Sequence, residues 1–139
     1  PIPLVLTTKT NALIYGVEIQ KEVFELAEKS VLYNNLSNQI KLINDDVNNI
    51  KRYFESETFD ILTVNPPYFK YNSTSIENRD NHKSLARHEK SLVLEDIVKI
   101  SRYLLKNNGR IAMVHRTERF VEILDVLNKN NLMNCLKMG

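Results

Sequence analysis

The chain has 139 residues, enough for one domain with a hydrophobic core and too few for two. Hydrophobic residues make up 42% and charged ones 26%, an ordinary globular composition; no apolar run approaches membrane-spanning length and no signal peptide opens the chain, so a cytoplasmic protein without membrane contact is expected. The formal net charge is only +2, from 19 basic and 17 acidic residues, so a case for nucleic-acid binding has to rest on local clustering.

The single Cys135 excludes an intrachain disulfide and, in an apolar-flanked segment, reads as a buried inert thiol. His82, His88 and His115 have no Cys or His neighbours at metal-ligand spacing, and no metal site is expected.

Ile2 to Thr10 begins apolar and turns polar, as a strand or the end of a helix would. Ala12 to Glu18 then reads as a buried strand ending in an acid. In dinucleotide-type folds such an acid accepts hydrogen bonds from a ribose diol, some 20 residues after a glycine-rich turn. Glu18 lies too near the start for that turn, and the three glycines, Gly16, Gly109 and Gly139, form no glycine-rich loop. Glu18 is therefore either an ordinary solvated acid or the first landmark of a chain that begins just after the loop and first strand of a larger domain. The second is the expectation.

Gln20 to Leu36 is an amphipathic helix with Val23, Phe24, Ala27, Val31 and Leu32 on its core-facing stripe, stopped by Asn34-Asn35 and Ser37-Asn38. Ile40 to Ile43 is a further strand, followed by Asn44-Asp45-Asp46. That acid pair suits a contact to a cofactor's amino group or the N-cap of a short helix, and with two acids both roles can hold.

Phe59 to Val64 is short, apolar and partly β-branched, a buried strand that the prolines of Asn65-Pro66-Pro67-Tyr68 end abruptly. This turn carries the chemistry. Ligands in open α/β sheets bind outside the carboxyl ends of the strands. Asn65 offers a carbonyl oxygen, Pro66 a backbone carbonyl without an N–H, and Tyr68 a flat face. Two acceptors beside a ring suit a planar group with an exocyclic amino nitrogen: adenine, cytosine or a carboxamide. Hydrogen bonds from both of its N–H groups to fixed acceptors favour pyramidalisation and aim the lone pair at an electrophile.

Phe69 to Lys90 is polar and without clear periodicity, as functional or disordered loops are. Lys70, Arg79, Lys83, Arg87 and Lys90 interleave with Tyr68, Phe69 and Tyr71, a pattern suited to phosphate contact and base stacking. Beyond it, Ser91 to Leu105 is a helix with Leu94, Ile97, Val98, Ser101, Leu104 and Leu105 on one face, ended by Asn107-Asn108-Gly109. Arg110 to His115 is a strand, Thr117 caps a helix with Phe120, Val121, Leu124 and Leu127 inward, and Leu132 to Met138 begins one more strand. Strands alternating with helices mean a parallel sheet, with no repeat and no linker.

Asn-Pro-Pro-Tyr after an apolar strand resembles the signature of S-adenosyl-L-methionine-dependent amino-methyltransferases. The order of elements is similar to the class I methyltransferase domain throughout the chain. Tyr15 to Gln20, Asn65 to Phe69, and Ala86-Arg87-His88-Glu89 followed by Leu92 and Leu94-Glu95 look like the bacterial tRNA adenine-N6 methyltransferases that modify the adenosine beside the anticodon of a valine tRNA.

The resemblance implies a Rossmann-like α/β sheet with flanking helices, as a single partial methyltransferase domain over residues 1–139 lacking the family's first strand and glycine-rich loop. It implies Glu18 on the cofactor ribose, Ile19 on its adenine, and Asp46 with the backbone of Val47 at the adenine edge. Asn65 and Pro66, with Pro67 and Tyr68, would hold the target amino group of a base swung out of the tRNA, and Phe69, Lys70, Arg87 and His88 would meet the RNA. Direct methyl transfer without a covalent enzyme intermediate follows, and an assembly of identical subunits stays open. Without the loop that cradles the cofactor's methionine part, the chain is expected to be weak or inactive alone. A glutamine-N5 protein methyltransferase and a non-catalytic RNA-binding α/β module are the other readings; a dehydrogenase leaves the turn without a role.

Overall fold

The computed structural model describes residues 2–65, 94–114 and 120–130. They fall into two compact units, Pro1–Tyr53 and Phe54–Gly139.

The first unit opens with helix α1 (Ile2–Leu6), which decides between the two readings of that segment. The hydroxyls of Thr7 and Thr8 donate to the carbonyls of Leu4 and Val5, each at 2.8 Å, and so take up acceptors that the short helix leaves over. Strand β1 (Ile14–Val17), helix α2 (Lys21–Tyr33) and strand β2 (Ile40–Ile43) then form a βαβ unit. β1 and β2 are parallel, with Ile14 opposite Ile40 and Val17 opposite Ile43. The helix between them provides the long crossover that parallel pairing requires.

α2 ends as its asparagines predict. Asn35 sits at φ 57°, Leu36 N–H donates to the Val31 carbonyl and Asn35 N–H to that of Leu32, each at 3.0 Å. This is a Schellman turn, and its usual apolar contact is present, since Leu36 packs on the core of Ile14, Val31 and Ile40. The predicted inward stripe of α2 needs correction: Val31 is buried, whereas Val23 and Leu32 are exposed. A 3-10 helix (Val47–Arg52) closes the unit and buries Ile50.

In the second unit, strand β3 (Phe59–Val64) lies parallel to strand β4 (Leu105–Met113). Helix α3, described over 94–104, runs directly into β4. The register is broken: Phe59 pairs with Leu105, but Ile61 already pairs with Arg110. The residues 106–109 form the irregularity, with Asn108 at φ 65° and the Lys106 ammonium 2.9 Å from the Asp60 carboxylate. The predicted helix stop at Asn107-Asn108-Gly109 is therefore a distortion inside a strand that starts earlier than expected.

Leu94 and Val98 of α3 pack with Val126 and Leu127 of helix α4 (Phe120–Lys129). Of the predicted inward face of α3, Leu94, Val98, Ser101 and Leu104 are buried and Ile97 is half-buried, while Leu105 is buried as the first residue of β4; the Ser101 hydroxyl donates back to the Ile97 carbonyl. On α4, Val126 with Leu127 is buried while Phe120 and Val121 are exposed, so the predicted face is rotated. The Arg102 guanidinium donates to the Asn130 carbonyl at 2.7 Å and ties the two helices together. Cys135, the three histidines, the Thr117 cap and the strand expected over 132–138 lie outside the described residues. Among the described residues no helix is long and apolar enough to cross a membrane.

Candidate active site

The site in the first unit is built by register. Because β1 and β2 are of equal length and pair end to end, their carboxyl ends stop together, and Glu18 follows one as Asn44 follows the other. The ladder extends one step further, with Glu18 N–H donating to the Ile43 carbonyl at 3.0 Å. Beyond that bond, side chains take over.

The Asn44 side-chain amide donates to the Glu18 carbonyl at 2.7 Å and, at 3.4 Å, approaches that of Ile19. Glu18 is half-buried, and its Oε1 accepts from Gln20 N–H at 2.9 Å. Gln20 is the N-cap of α2 but makes no side-chain cap bond, so the carboxylate serves the helix start in its place. Among the described residues Oε2 of Glu18 has no partner. Ile19, next in the chain, leaves 63% of its surface in solvent.

The acid pair after β2 divides its work. Asp46 Oδ1 accepts from Asn48 N–H at 2.8 Å and caps the 3-10 helix, the N-cap role that the sequence offered. Its other oxygen has no partner among the described residues, and Val47 beside it is exposed. Asp45 is structural: Oδ1 accepts from Asp46 N–H and from the Asn49 side chain, and Oδ2 from the Tyr53 hydroxyl at 2.7 Å. Bonds from Asn49, then Tyr53, then the Asp46 backbone hold the Asp45 carboxyl below the usual range, and the same carboxylate pushes the Tyr53 phenol up.

In the second unit Asn65 follows β3 directly and is exposed. Val114 N–H donates to the Val64 carbonyl at 3.1 Å, which fixes the strand end that carries it. Among the described residues the Asn65 side chain makes no hydrogen bond. Pro66, Pro67, Tyr68, Phe69, Lys70, Arg87 and His88 lie outside the described residues.

Glu18 and Ile19 thus follow the end of β1, and Asp46 and Val47 lie a few residues beyond the aligned end of β2. Sequence reasoning missed Asn44 and Tyr53. Asn44 stands after β2 where Glu18 stands after β1, a position the sequence shows, although the bond between them depends on the register. Tyr53 carries no such signal.

Acids stand at the carboxyl ends of parallel strands and Asn65 follows β3 in an α/β chain, and comparison gives the family. The model of the N-6 DNA methylase family matches residues 6–123, and the chain belongs to that family. Among curated proteins it is similar to the tRNA1(Val) (adenine(37)-N6)-methyltransferase of Parabacteroides distasonis, 27% identical over 133 residues, covering 94% of this chain and 54% of that protein. The protein of the same name from Porphyromonas gingivalis is 27% identical over 115 residues, covering 81% and 44%. The one from Bacteroides thetaiotaomicron is 30% identical over 108 residues, covering 78% and 43%. The chain spans about half the length of the curated relatives it matches.

Proposed function

We propose that this chain is a partial, Rossmann-like methyltransferase domain that uses S-adenosyl-L-methionine to methylate N6 of an adenine in tRNA, beside the anticodon. The observation that carries the reading is Asn65, directly after β3 and without a side-chain hydrogen bond among the described residues, in a chain of the N-6 DNA methylase family. The names of the similar proteins favour tRNA over DNA.

The residues of the first unit suit the proposed cofactor. A ribose diol donates to carboxylate oxygens, and Glu18 has one oxygen held by Gln20 and one without a partner among the described residues. An adenine ring wants apolar cover and an acceptor at its amino edge; Ile19 is exposed, and Asp46 keeps an oxygen beyond its cap bond. When bound, S-adenosyl-L-methionine would supply a methyl group on a sulfonium. Asn65 and the Pro66 carbonyl would accept from the two N–H groups of the target amine, drawing its lone pair out of the ring plane. Tyr68 would stack on the extruded base, and Phe69, Lys70, Arg87 and His88 would hold the RNA.

Two measurements test this. S-adenosyl-L-methionine is titrated into the chain and into a version extended upstream by a family first strand and glycine-rich loop; binding by neither removes the cofactor roles of Glu18 and Asp46. Transfer of labelled methyl groups to tRNA, to an adenine-containing DNA duplex and to a glutamine-containing peptide then separates the substrates. Asn65→Ala should abolish transfer and leave RNA affinity in place, and unchanged transfer would refute the assignment.

A further inference from the structure

We infer that Asn44 is the positioning residue of the cofactor site: its carboxamide locks the Glu18-Ile19 backbone so that the Glu18 carboxylate faces the ligand in one orientation. This rests on the proposed ribose role of Glu18. β2 is flanked by two carboxamides. At its amino end Gln39 donates to the carbonyls of Thr10 and Ala12, at 2.7 and 3.2 Å. At its carboxyl end Asn44 donates to Glu18 and approaches Ile19.

The two bridges do different work. Gln39 ties the entry of β1, where nothing chemical follows. Asn44 acts where the ladder has run out, since Glu18 N–H to Ile43 is the last backbone bond between the strands. From there the chain turns at once into α2, and among the described residues the Glu18 carbonyl has no hydrogen-bond partner but Asn44. The Glu18 carbonyl belongs to the Glu18–Ile19 peptide, and the Ile19 carbonyl, which Asn44 reaches at 3.4 Å, shares its peptide plane with Gln20 N–H, the group that holds Oε1 of Glu18. Asn44, an exposed residue, thereby sets a half-buried carboxylate across a separation of 26 residues in sequence.

The test uses Asn44→Asp, which keeps the shape and turns the donor into an acceptor facing two carbonyls, with Asn44→Ala beside it and Gln39→Glu as the control. Amide hydrogen exchange at Gln20, followed by NMR, should speed up about tenfold in both Asn44 variants and stay unchanged in Gln39→Glu, the loss expected for one exposed hydrogen bond. Affinity for S-adenosylhomocysteine, measured on the upstream-extended protein, should fall about three- to tenfold in Asn44→Asp by the same bond. That loss should vanish in a Glu18→Ala background. Unchanged Gln20 exchange in both Asn44 variants, or an equal affinity loss with and without Glu18, overturns the inference. If the unsubstituted protein binds no S-adenosylhomocysteine, the cofactor reading fails instead, and Gln20 exchange alone decides whether Asn44 positions Glu18.

Discussion

Gly16 is required for close approach, because none of the chain's described glycines has a positive φ. A Cβ at Gly16 would stand 2.9 Å from Leu42 Cδ2 on the neighbouring strand and 3.2 Å from Pro3 Cγ on α1. Carbon atoms rest at roughly 3.5–4.0 Å, so both contacts are too short. Leu42 can turn its methyl away, but the ring of Pro3 is stiff, so α1 or β1 has to move. Inserting a methyl into a packed site costs about 1–3 kcal/mol. Replacing glycine inside a strand returns about 0.5–1 kcal/mol of chain entropy. Gly16→Ala should therefore destabilise by about 1 kcal/mol, the soft Leu42 contact keeping it at the low end. With a urea slope of about 1–3 kcal/mol per molar, the unfolding midpoint falls by about 0.5 M. A double-mutant cycle with Leu42→Ala should show the two changes costing about 0.5–1 kcal/mol less together than their sum. A Gly16→Ala protein as stable as the parent, or strict additivity with Leu42→Ala, would refute the close-approach argument.

The Asp45–Tyr53 bond gives the 3-10 helix a defined pH window. Asp45's carboxyl is depressed, so its contribution is complete above the ordinary carboxylate range and fades as pH falls through the lowered value; Tyr53's phenol is raised, so its contribution is complete below the ordinary tyrosine range and fades as pH rises through the higher value. Subtracting the alkaline absorbance titration of Tyr53→Phe should isolate a late-titrating phenol, which Asp45→Asn returns to the usual range; a phenol unaffected by Asp45→Asn counts against the bond. Glu57 sits at φ 56° with its N–H donated to the Tyr103 carbonyl at 2.9 Å. Glu57→Gly keeps that bond and relieves the left-handed backbone, for a net gain of about 0.5 kcal/mol in chemical unfolding after the added chain entropy. A loss of stability there would show that the Glu57 side chain contributes more than its backbone strain costs.

The elements were legible in the sequence because their causes are local. β-branched runs made Ile40–Ile43 and Phe59–Val64 strands, Asn34-Asn35 stopped α2, and Asp46 capped the turn after β2. Glu18 and the Asp45-Asp46 pair were legible for the same reason, each following a strand end that the pattern marks, whereas the roles given to Ile19, Asp46 and Val47 rest on the family resemblance. What the pattern could not supply is what lies opposite. An apolar stripe says which residues could be buried, while burial depends on the neighbour that covers them, so Val23, Leu32, Phe120 and Val121 were assigned inward and are exposed. Leu105 was read as the end of a helix and pairs with Phe59, because strand pairing is a contact between segments far apart in sequence. Asn44 belongs to that second kind: its residue type is ordinary after a strand, and only the β1–β2 register brings its amide to the carbonyl of Glu18.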